Sequence, residues 1–306
     1  MVAFVDADVT IDADALRLLT AHLESADTAV AAPRIAARPE PGPHHAYELT
    51  NSPLDMGGDS ALVRPHTRVS YVPSAMMLIR VEALAALDGF DESMRVGEDV
   101  DFVWRAVGHG YDVRYEPRAV AVHRNRPTVA AAARQRFAYG TSAALLEARH
   151  PAHVFPVELS AQQLVIWATA LLGGRRGVLL AALGFGASVI EFERKLAPAV
   201  DEARPVAAAV LTDAHRGGLR WLSNAMTRAW FPLLLFSRRP RQALAVALLI
   251  PAALDYVSAR KSGSSIDPAA FVALRIVDHS AYGAGLWTGA WRQRSIRALL
   301  PRFRWR

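Results

Sequence analysis

The residues near the start of the chain that are best suited to chemistry are two carboxylates, Asp6 and Asp8. They follow "VAFV", a β-branched and aromatic run that predicts a buried strand over residues 2–5. In open α/β sheets, ligands bind beyond the carboxyl ends of such strands. Because no Lys or Arg lies nearby in sequence, the pair favours a bound cation. Mg²⁺ and Mn²⁺ prefer oxygen ligands of this kind.

The Asp-x-Asp spacing alone carries little information, because it occurs two more times. Asp12 and Asp14 precede an apolar pattern of helical period, which predicts a helix over residues 12–24. There Asp12 is interpreted as the N-cap and Asp14 as a first-turn acid that the helix dipole favours. The third pair, Asp99 and Asp101, lies in a second acidic cluster.

In that cluster Glu98 and Asp99 follow Gly97 and begin a predicted helix over residues 98–108. The helix dipole stabilises ionised carboxylates at this end. An ionised carboxylate that is fixed at a helix start and faces a cleft is suited to work as a general base. Simple helix capping is the alternative interpretation.

His123 ends another apolar run, predicted as a strand over residues 119–123. A single histidine in such a position is more often a core or surface residue. Together with Asp6 and Asp8, also placed at a strand end, it becomes a candidate third metal ligand.

These groups are positioned by an alternating pattern of short strands and helices over residues 1–125. The further predicted strands are 28–32, 69–72, 75–80 and 112–116, and the remaining predicted helix is 81–87. Residues 38–68 are rich in Pro, Gly and His and are interpreted as a long loop. The pattern predicts an α/β fold.

From residue 127 onward the composition changes to Ala, Leu and Arg. Apolar blocks at 164–172, 177–190, 229–236 and 243–257 fall short of an ordinary membrane span. Arg-rich stretches such as "SRRPR" at 237–241 flank them. We interpret residues 127–306 as a helical region that lies on or dips into a membrane; a soluble helical bundle is the alternative.

Charge and composition agree with a membrane surface as a partner. The net charge is +6, and the only lysines are Lys195 and Lys261. The last stretch, "RQRSIRALLPRFRWR", interleaves Arg with apolar residues and suits anionic lipid better than nucleic acid; an ordinary solvated C-terminal helix is the alternative. The chain has no cysteine, which fits a reducing compartment. We therefore expect the cytoplasmic face of the cell membrane and no nucleic-acid partner.

The order of "FVDADV", "SAMMLIRVEALAALDGFDE" and "GEDVDFVWRAVGHGYDVRYEPRAVAVH" resembles the family 2 glycosyltransferases of the GT-A fold. The resemblance covers about residues 1–125. It implies a partial GT-A domain, a Rossmann-like mixed sheet, over residues 1–126, followed by the helical region 127–306.

The resemblance also implies roles for the residues above. Asp8 would ligate Mg²⁺ or Mn²⁺ on the diphosphate of a nucleotide sugar, and Asp6 would support the metal or the ribose. Asp99, with Glu98 beside it, would be the catalytic base of an inverting transfer. His123 matches a histidine that ligates metal or diphosphate. Arg105 would contact acceptor or diphosphate, whereas Trp104 is expected to pack.

Within the family, "APRI" at 32–35, the His- and Pro-rich loop and the Arg-rich apolar tail resemble the branch that serves mycofactocin biosynthesis. This implies a UDP-glucose donor, β-linked glucose, and as acceptor a peptide-derived redox cofactor or a saccharide.

In this family the Asp-x-Asp strand follows a half that holds the nucleoside, whereas here only Met1, Val2 and Ala3 precede Phe4. We therefore expect a chain truncated at its N-terminus, with an exposed sheet edge and weak binding of the nucleotide sugar.

Two other classes of function remain open from the sequence. "FVDADVT" also fits a haloacid-dehalogenase-like phosphotransferase in which Asp6 is a nucleophile, although no Lys precedes Lys195. An inactive membrane-bound adaptor is the other, and hydrolysis by paired carboxylates is a minor alternative.

Overall fold

The computed structural model describes residues 1–304, which divide into two compact units. The first comprises residues 1–154 and 248–298, and the second comprises residues 155–247 and the segment from 299 onward.

The first unit is built around a mixed six-stranded sheet. Its strands are β1 (Val2–Val5), β2 (Val9–Ile11), β3 (Thr28–Ala37), β4 (Ala61–Leu62), β5 (Met76–Ile79) and β6 (Asp112–His123). The order is β1-β5-β3-β6-β2, with β4 also paired to β6. Only β3 and β6 are parallel; every other pair is antiparallel. The α/β class and the mixed sheet expected from the sequence are confirmed.

Helices cover both faces of this sheet. They are α1 (Ala13–His22), α2 (Pro43–Asn51), α3 (Val81–Ala86), α4 (Glu98–Gly108) and α5 (Val129–Arg149). Along β5 the side chains alternate: Met76 and Leu78 pack in the cluster that holds Leu19 of α1, and Met77 and Ile79 pack in the cluster that holds Phe102 of α4. This period of two places α1 and α4 on opposite faces.

Several elements differ from those predicted. The predicted strands at 112–116 and 119–123 form the single strand β6, and residues 69–72 form no strand. The predicted long loop contains α2, with a proline in its first turn. Strand β2 was not predicted, because "VTI" is too short to show a period. The N-cap role of Asp12 is confirmed: its side chain accepts a hydrogen bond from the N–H of Asp14 at 3.1 Å.

The first unit extends beyond the boundary predicted at residues 126 and 127, because α5 packs against α11 (Pro268–Arg292). The two helices are in backbone contact: a Cβ added to Gly140 would lie 2.2 Å from the carbonyl oxygen of Tyr282, and one added to Gly285 would lie 2.1 Å from that of Phe137. Glycines therefore set the close approach of the two helices.

The second unit is helical. Its helices are α6 (Ala161–Leu172), α7 (Gly174–Leu196), α8 (Ala203–Asn224), the π-helix Ala225–Ala229 and α9 (Phe231–Leu234). Strands β7 (Glu158–Ser160) and β8 (Arg302–Arg304) form a short parallel sheet. Residues of α10 (Arg238–Lys261) fall in both units. Trp305 and Arg306, the end of the predicted basic tail, lie outside the described residues.

Within the described residues, α10 is the one helix long and apolar enough to cross a bilayer by length and composition. The most apolar 18-residue stretch of this helix has a mean hydropathy of 1.6, and 11% of it is buried within the protein. The apolar block 243–257, too short for a span on its own, thus lies inside a longer helix.

Candidate active site

Asp6 and Asp8 lie in the short turn between β1 and β2. The N–H of Asp6 donates to the carbonyl of Ala75 at 3.0 Å, and the carbonyl of Asp8 accepts from the N–H of Arg124 at 3.0 Å. The backbone of the turn is thus fastened to residues that flank β5 and β6. The side chain of Asp6 is exposed and that of Asp8 is half-buried.

His123, at the end of β6, faces the same turn. Its Nε2 lies 3.5 Å from Oδ1 of Asp8, and the ring is buried. Burial lowers the pKa of His123, while the charges of Asp8 and Asp6 oppose that shift in part. The ring is therefore neutral at physiological pH, which is the form that can ligate a metal. The structure thus brings Asp8 and His123 together as predicted from their positions at strand ends.

The three predicted metal ligands do not form a preassembled cage. Among residues 1–304, no group of three or more His, Cys, Asp or Glu side chains is arranged to hold a metal ion. The donor set nevertheless suits Mg²⁺ or Mn²⁺, because these ions bind proteins through one or two carboxylates and complete their coordination with phosphate and water oxygens. Asp8 with its half-exposed carboxylate fits that role, and the ligand set stays a prediction.

A cation near this turn was missed in the sequence. Nη1 of Arg126 lies 3.8 Å from Oδ2 of Asp8, and its side chain is 44% exposed. When the side-chain amide of Gln135 is oriented with its oxygen toward Arg126, that oxygen accepts from Nε and Nη2 of Arg126 at 3.3 Å and from the hydroxyl of Tyr139 at 3.0 Å. The only signal was "HRNR", in which two arginines follow the strand that ends at His123. Arg126 can attract an anion to the Asp8 turn.

Asp99 lies at the start of α4, where its carboxylate accepts two backbone hydrogen bonds. Oδ1 accepts from the N–H of Val100 at 2.8 Å, and Oδ2 accepts from the N–H of Ser74 at 3.2 Å. Burial and then the negative charge of Glu98 raise the pKa of Asp99 to about 6, against the effect of these bonds. A base with such a pKa is ionised at neutral pH and still binds a proton well. The role of Asp99 as a general base stays a prediction.

Glu98, the other predicted catalytic acid, has one carboxylate oxygen, Oε2, that is buried and makes no hydrogen bond within the described residues. Gly97 sets the position of both acids. Its φ of 85° is left-handed, and an added Cβ would lie 3.0 Å from Cβ of Ser142 on α5. Only glycine combines that backbone with such close packing.

Buried polar groups surround Asp99. Burial and the charge of Asp99 raise the pKa of Tyr71, and burial raises the pKa of Tyr139 to about 12, so both phenols stay protonated and can donate. Beside them Arg136 of α5 donates through Nε to Asp278 and through Nη2 to Glu48 at 3.0 Å. No sequence pattern predicted this group, because its members come from four segments that are distant in the chain.

Arg105 has structural contacts. Its Nε donates to Asp101 at 2.8 Å, and its Nη2 donates to the carbonyl of Gly89 at 2.8 Å. Burial alone raises the pKa of Asp101, but hydrogen bonds from Arg105 and His150 outweigh it and lower that pKa. Arg105 therefore fastens the turn after α3 to α4, and contact with a diphosphate stays a prediction. Trp104 packs as expected: it is buried, and its Nε1 donates to Ser70 at 2.8 Å.

The sequence of this chain is similar to those of known proteins. Residues 1–258 match the family model described as "Glycosyl transferase family group 2". The chain is similar to the "Pre-mycofactocin glycosyltransferase" of Mycobacterium tuberculosis, strains CDC 1551 / Oshkosh and ATCC 25618 / H37Rv, with 37% identity over 318 residues. The alignments cover 99% of this chain and 66% of each relative, so the chain spans just under two thirds of their length.

Proposed function

Because this chain belongs to the group 2 family of glycosyl transferases, we propose that it transfers a sugar from a nucleoside-diphosphate donor to an acceptor hydroxyl. Glucose from UDP-glucose is the proposed donor sugar. The observation that carries the proposal is the half-buried Asp99, with a pKa raised to about 6, fastened to the same segment as Asp6.

The proposed reaction is an inverting displacement. Asp99 takes the proton of the acceptor hydroxyl while that oxygen attacks the anomeric carbon. The bond from this carbon to the diphosphate oxygen breaks, and the nucleoside diphosphate leaves with both electrons. General-base help of this kind contributes about 10²–10⁴-fold to the rate. Glu98, whose Oε2 is buried without a partner in the described chain, can accept a second hydrogen bond from the acceptor.

The opposite side of the proposed site binds the leaving group. Arg126 attracts the diphosphate to the Asp8 turn, and His123 presents a neutral ring beside it. Asp8, with Asp6 or His123 nearby, would hold Mg²⁺ or Mn²⁺, which supplies positive charge against the leaving diphosphate when bound.

The acceptor is proposed from the comparison alone. The printed name of both relatives refers to pre-mycofactocin. We accordingly propose a peptide-derived cofactor precursor of that kind, or the saccharide already attached to it, as the acceptor of this chain.

The cytoplasmic face of a membrane is the proposed location. At the end of α6, Leu171 and Leu172 are more than four fifths exposed. Arg175 and Arg176 follow directly in α7, and Arg238 and Arg239 begin α10. Exposed apolar side chains flanked by arginines fit the interface of an anionic bilayer.

The test is a panel of nucleotide sugars incubated with the protein, a candidate acceptor and Mg²⁺ or Mn²⁺, with products weighed by mass spectrometry. We expect one hexose added to the acceptor in the presence of metal, and about 10²–10⁴-fold slower product formation with Asp99→Asn. A phosphorylated Asp6 without any glycosylated product would support the phosphotransferase instead, and product formation by Asp99→Asn at the wild-type rate would contradict the proposed base.

A further inference from the structure

A small cavity lies beside the Asp8 turn in the first unit. Its polar wall includes Glu48, Asn125, Arg126 and Gln135, and Pro53 and Leu54 form an apolar wall. His123 also borders it. The cavity therefore lies next to the residues proposed to bind the diphosphate.

The side chain of Asn125 in this cavity has an unmet hydrogen bond. Asn125 is 6% exposed, and its amide nitrogen has no hydrogen-bond partner among the described residues. A buried donor without a partner is costly, so proteins rarely retain one unless something fills its place. The side-chain amide of Asn125 thus has an N–H donor without an acceptor among the described residues.

The rest of the wall indicates which chemical group fits. Glu48 offers carboxylate oxygens, one of which accepts from Arg136 at 3.0 Å, and its side chain is 12% exposed. The opposite charges of Glu48 and Arg126 on this wall offset each other, so the cavity favours a neutral polar group over a carboxylate or a phosphate. A hydroxyl group both accepts, as Asn125 requires, and donates, as Glu48 requires. The cavity has room for about one water-sized group, so a single ring hydroxyl would enter it and the ring would stay outside.

We propose that this cavity binds a ring hydroxyl of a saccharide, with Asn125 donating to it and Glu48 accepting from it. The inference rests on the proposed glycosyl transfer and makes Asn125 a residue that determines sugar specificity. The hydroxyl belongs either to the transferred sugar or to a saccharide acceptor, and the experiment distinguishes the two sources.

The experiment compares wild type with Asn125→Ala, and uses Asn224→Ala in α8 of the second unit as the matched control. The Michaelis constant is measured separately for UDP-glucose and for a glucoside acceptor, each also as its monodeoxy analogues. Loss of one buried hydrogen bond predicts that Asn125→Ala raises one of the two constants roughly 5- to 100-fold, with little change in kcat. The constant that moves identifies the source of the hydroxyl.

The deoxy analogues provide the sharper criterion. Wild type should disfavour one monodeoxy analogue by a similar factor, and Asn125→Ala should accept that analogue as well as the parent sugar. Equal discrimination by both proteins, or a variant that changes only thermal stability, would show that water alone fills the cavity and would overturn the inference. If wild type transfers no sugar but binds free methyl glucoside in an Asn125-dependent manner by calorimetry, the proposed reaction fails while the saccharide site stands. If it neither transfers nor binds a sugar, both fail.

Discussion

Asp6 and Asp99, distant in the chain, are fastened to two consecutive residues of one segment. The N–H of Asp6 donates to the carbonyl of Ala75, and the carboxylate of Asp99 accepts from the N–H of Ser74. This segment leads into β5, which runs antiparallel to β1, so the end of β1 meets the start of β5. The proposed metal turn and the proposed base are therefore positioned by the same short stretch of backbone.

The first prediction concerns the pH dependence of turnover. Because the pKa of Asp99 is raised to about 6, kcat/KM should rise as the pH increases through about 6. Asp99→Asn should lose about 10²–10⁴-fold in kcat and retain binding of the nucleotide sugar. Steady-state kinetics between pH 5 and 8 and calorimetry measure these quantities. Normal turnover by Asp99→Asn would show that another residue is the base.

The second prediction concerns stability. A carboxyl whose pKa is about 6 in the folded state and near 3.8 when unfolded binds its proton more tightly in the folded state. Its contribution to stability is therefore fully present below pH 4 and is lost between about pH 4 and 6. Asp99→Asn removes this titration. The free energy of unfolding of the variant, minus that of wild type, should therefore increase by about 2–3 kcal/mol as the pH rises from 4 to 8. Urea unfolding at several pH values tests this; a constant difference would contradict it.

The third prediction distinguishes Asp8, the proposed metal ligand, from Asp12, which belongs to the next Asp-x-Asp pair. Asp8→Ala should abolish the metal-dependent part of nucleotide-sugar binding, because Asp8 is the half-exposed carboxylate beside His123. Asp12→Ala is the control: it removes the N-cap of α1 and should cost about 1 kcal/mol of stability without affecting that binding. Titrations with Mg²⁺ or Mn²⁺ and with EDTA distinguish the two. If both variants changed metal-dependent binding equally, Asp8 would not be a specific ligand of the metal.

The fourth prediction concerns the contact between α5 and α11. Gly140→Ala places a Cβ 2.2 Å from a backbone oxygen of α11, so the helices must separate. We expect a loss of about 1–3 kcal/mol or more in the free energy of unfolding. Gly108→Ala in α4 is matched, because nothing lies within 4 Å of its added Cβ, and it should be neutral or slightly stabilising. In urea unfolding, the midpoint of Gly140→Ala should fall, and that of Gly108→Ala should stay the same or rise slightly.

The fifth prediction concerns the membrane. Replacing the exposed Leu171 and Leu172 by Glu should weaken binding to anionic liposomes and leave the unfolding midpoint unchanged, because these side chains bury little surface within the protein. Added salt should also weaken binding by wild type, since attraction between arginine and lipid is screened. Co-sedimentation with liposomes measures both effects. Binding that ignores the substitution and the salt would exclude this surface as the contact.

The sequence by itself determined the features that depend on neighbours along the chain. Strand β1, the N-cap of α1 and the placement of Asp99 at the start of α4 follow from apolar period, capping chemistry and a glycine before the helix. These features led to the acidic residues of the proposed site and to the α/β class. They rely on interactions that span a few residues, which sequence patterns record directly.

Only the tertiary structure decided which distant residues surround those acids. The sequence showed no cation near Asp8, yet the antiparallel pairing of β2 with β6 brings Arg126 within 3.8 Å of it. Likewise, α5 belongs to the first unit because Gly140 and Gly285 let two backbones touch, which no local pattern encodes. Strand register and close helix packing are properties of pairs of segments far apart in the chain. The pKa of Asp99 also depends on the tertiary structure, because burial is the largest cause of its rise.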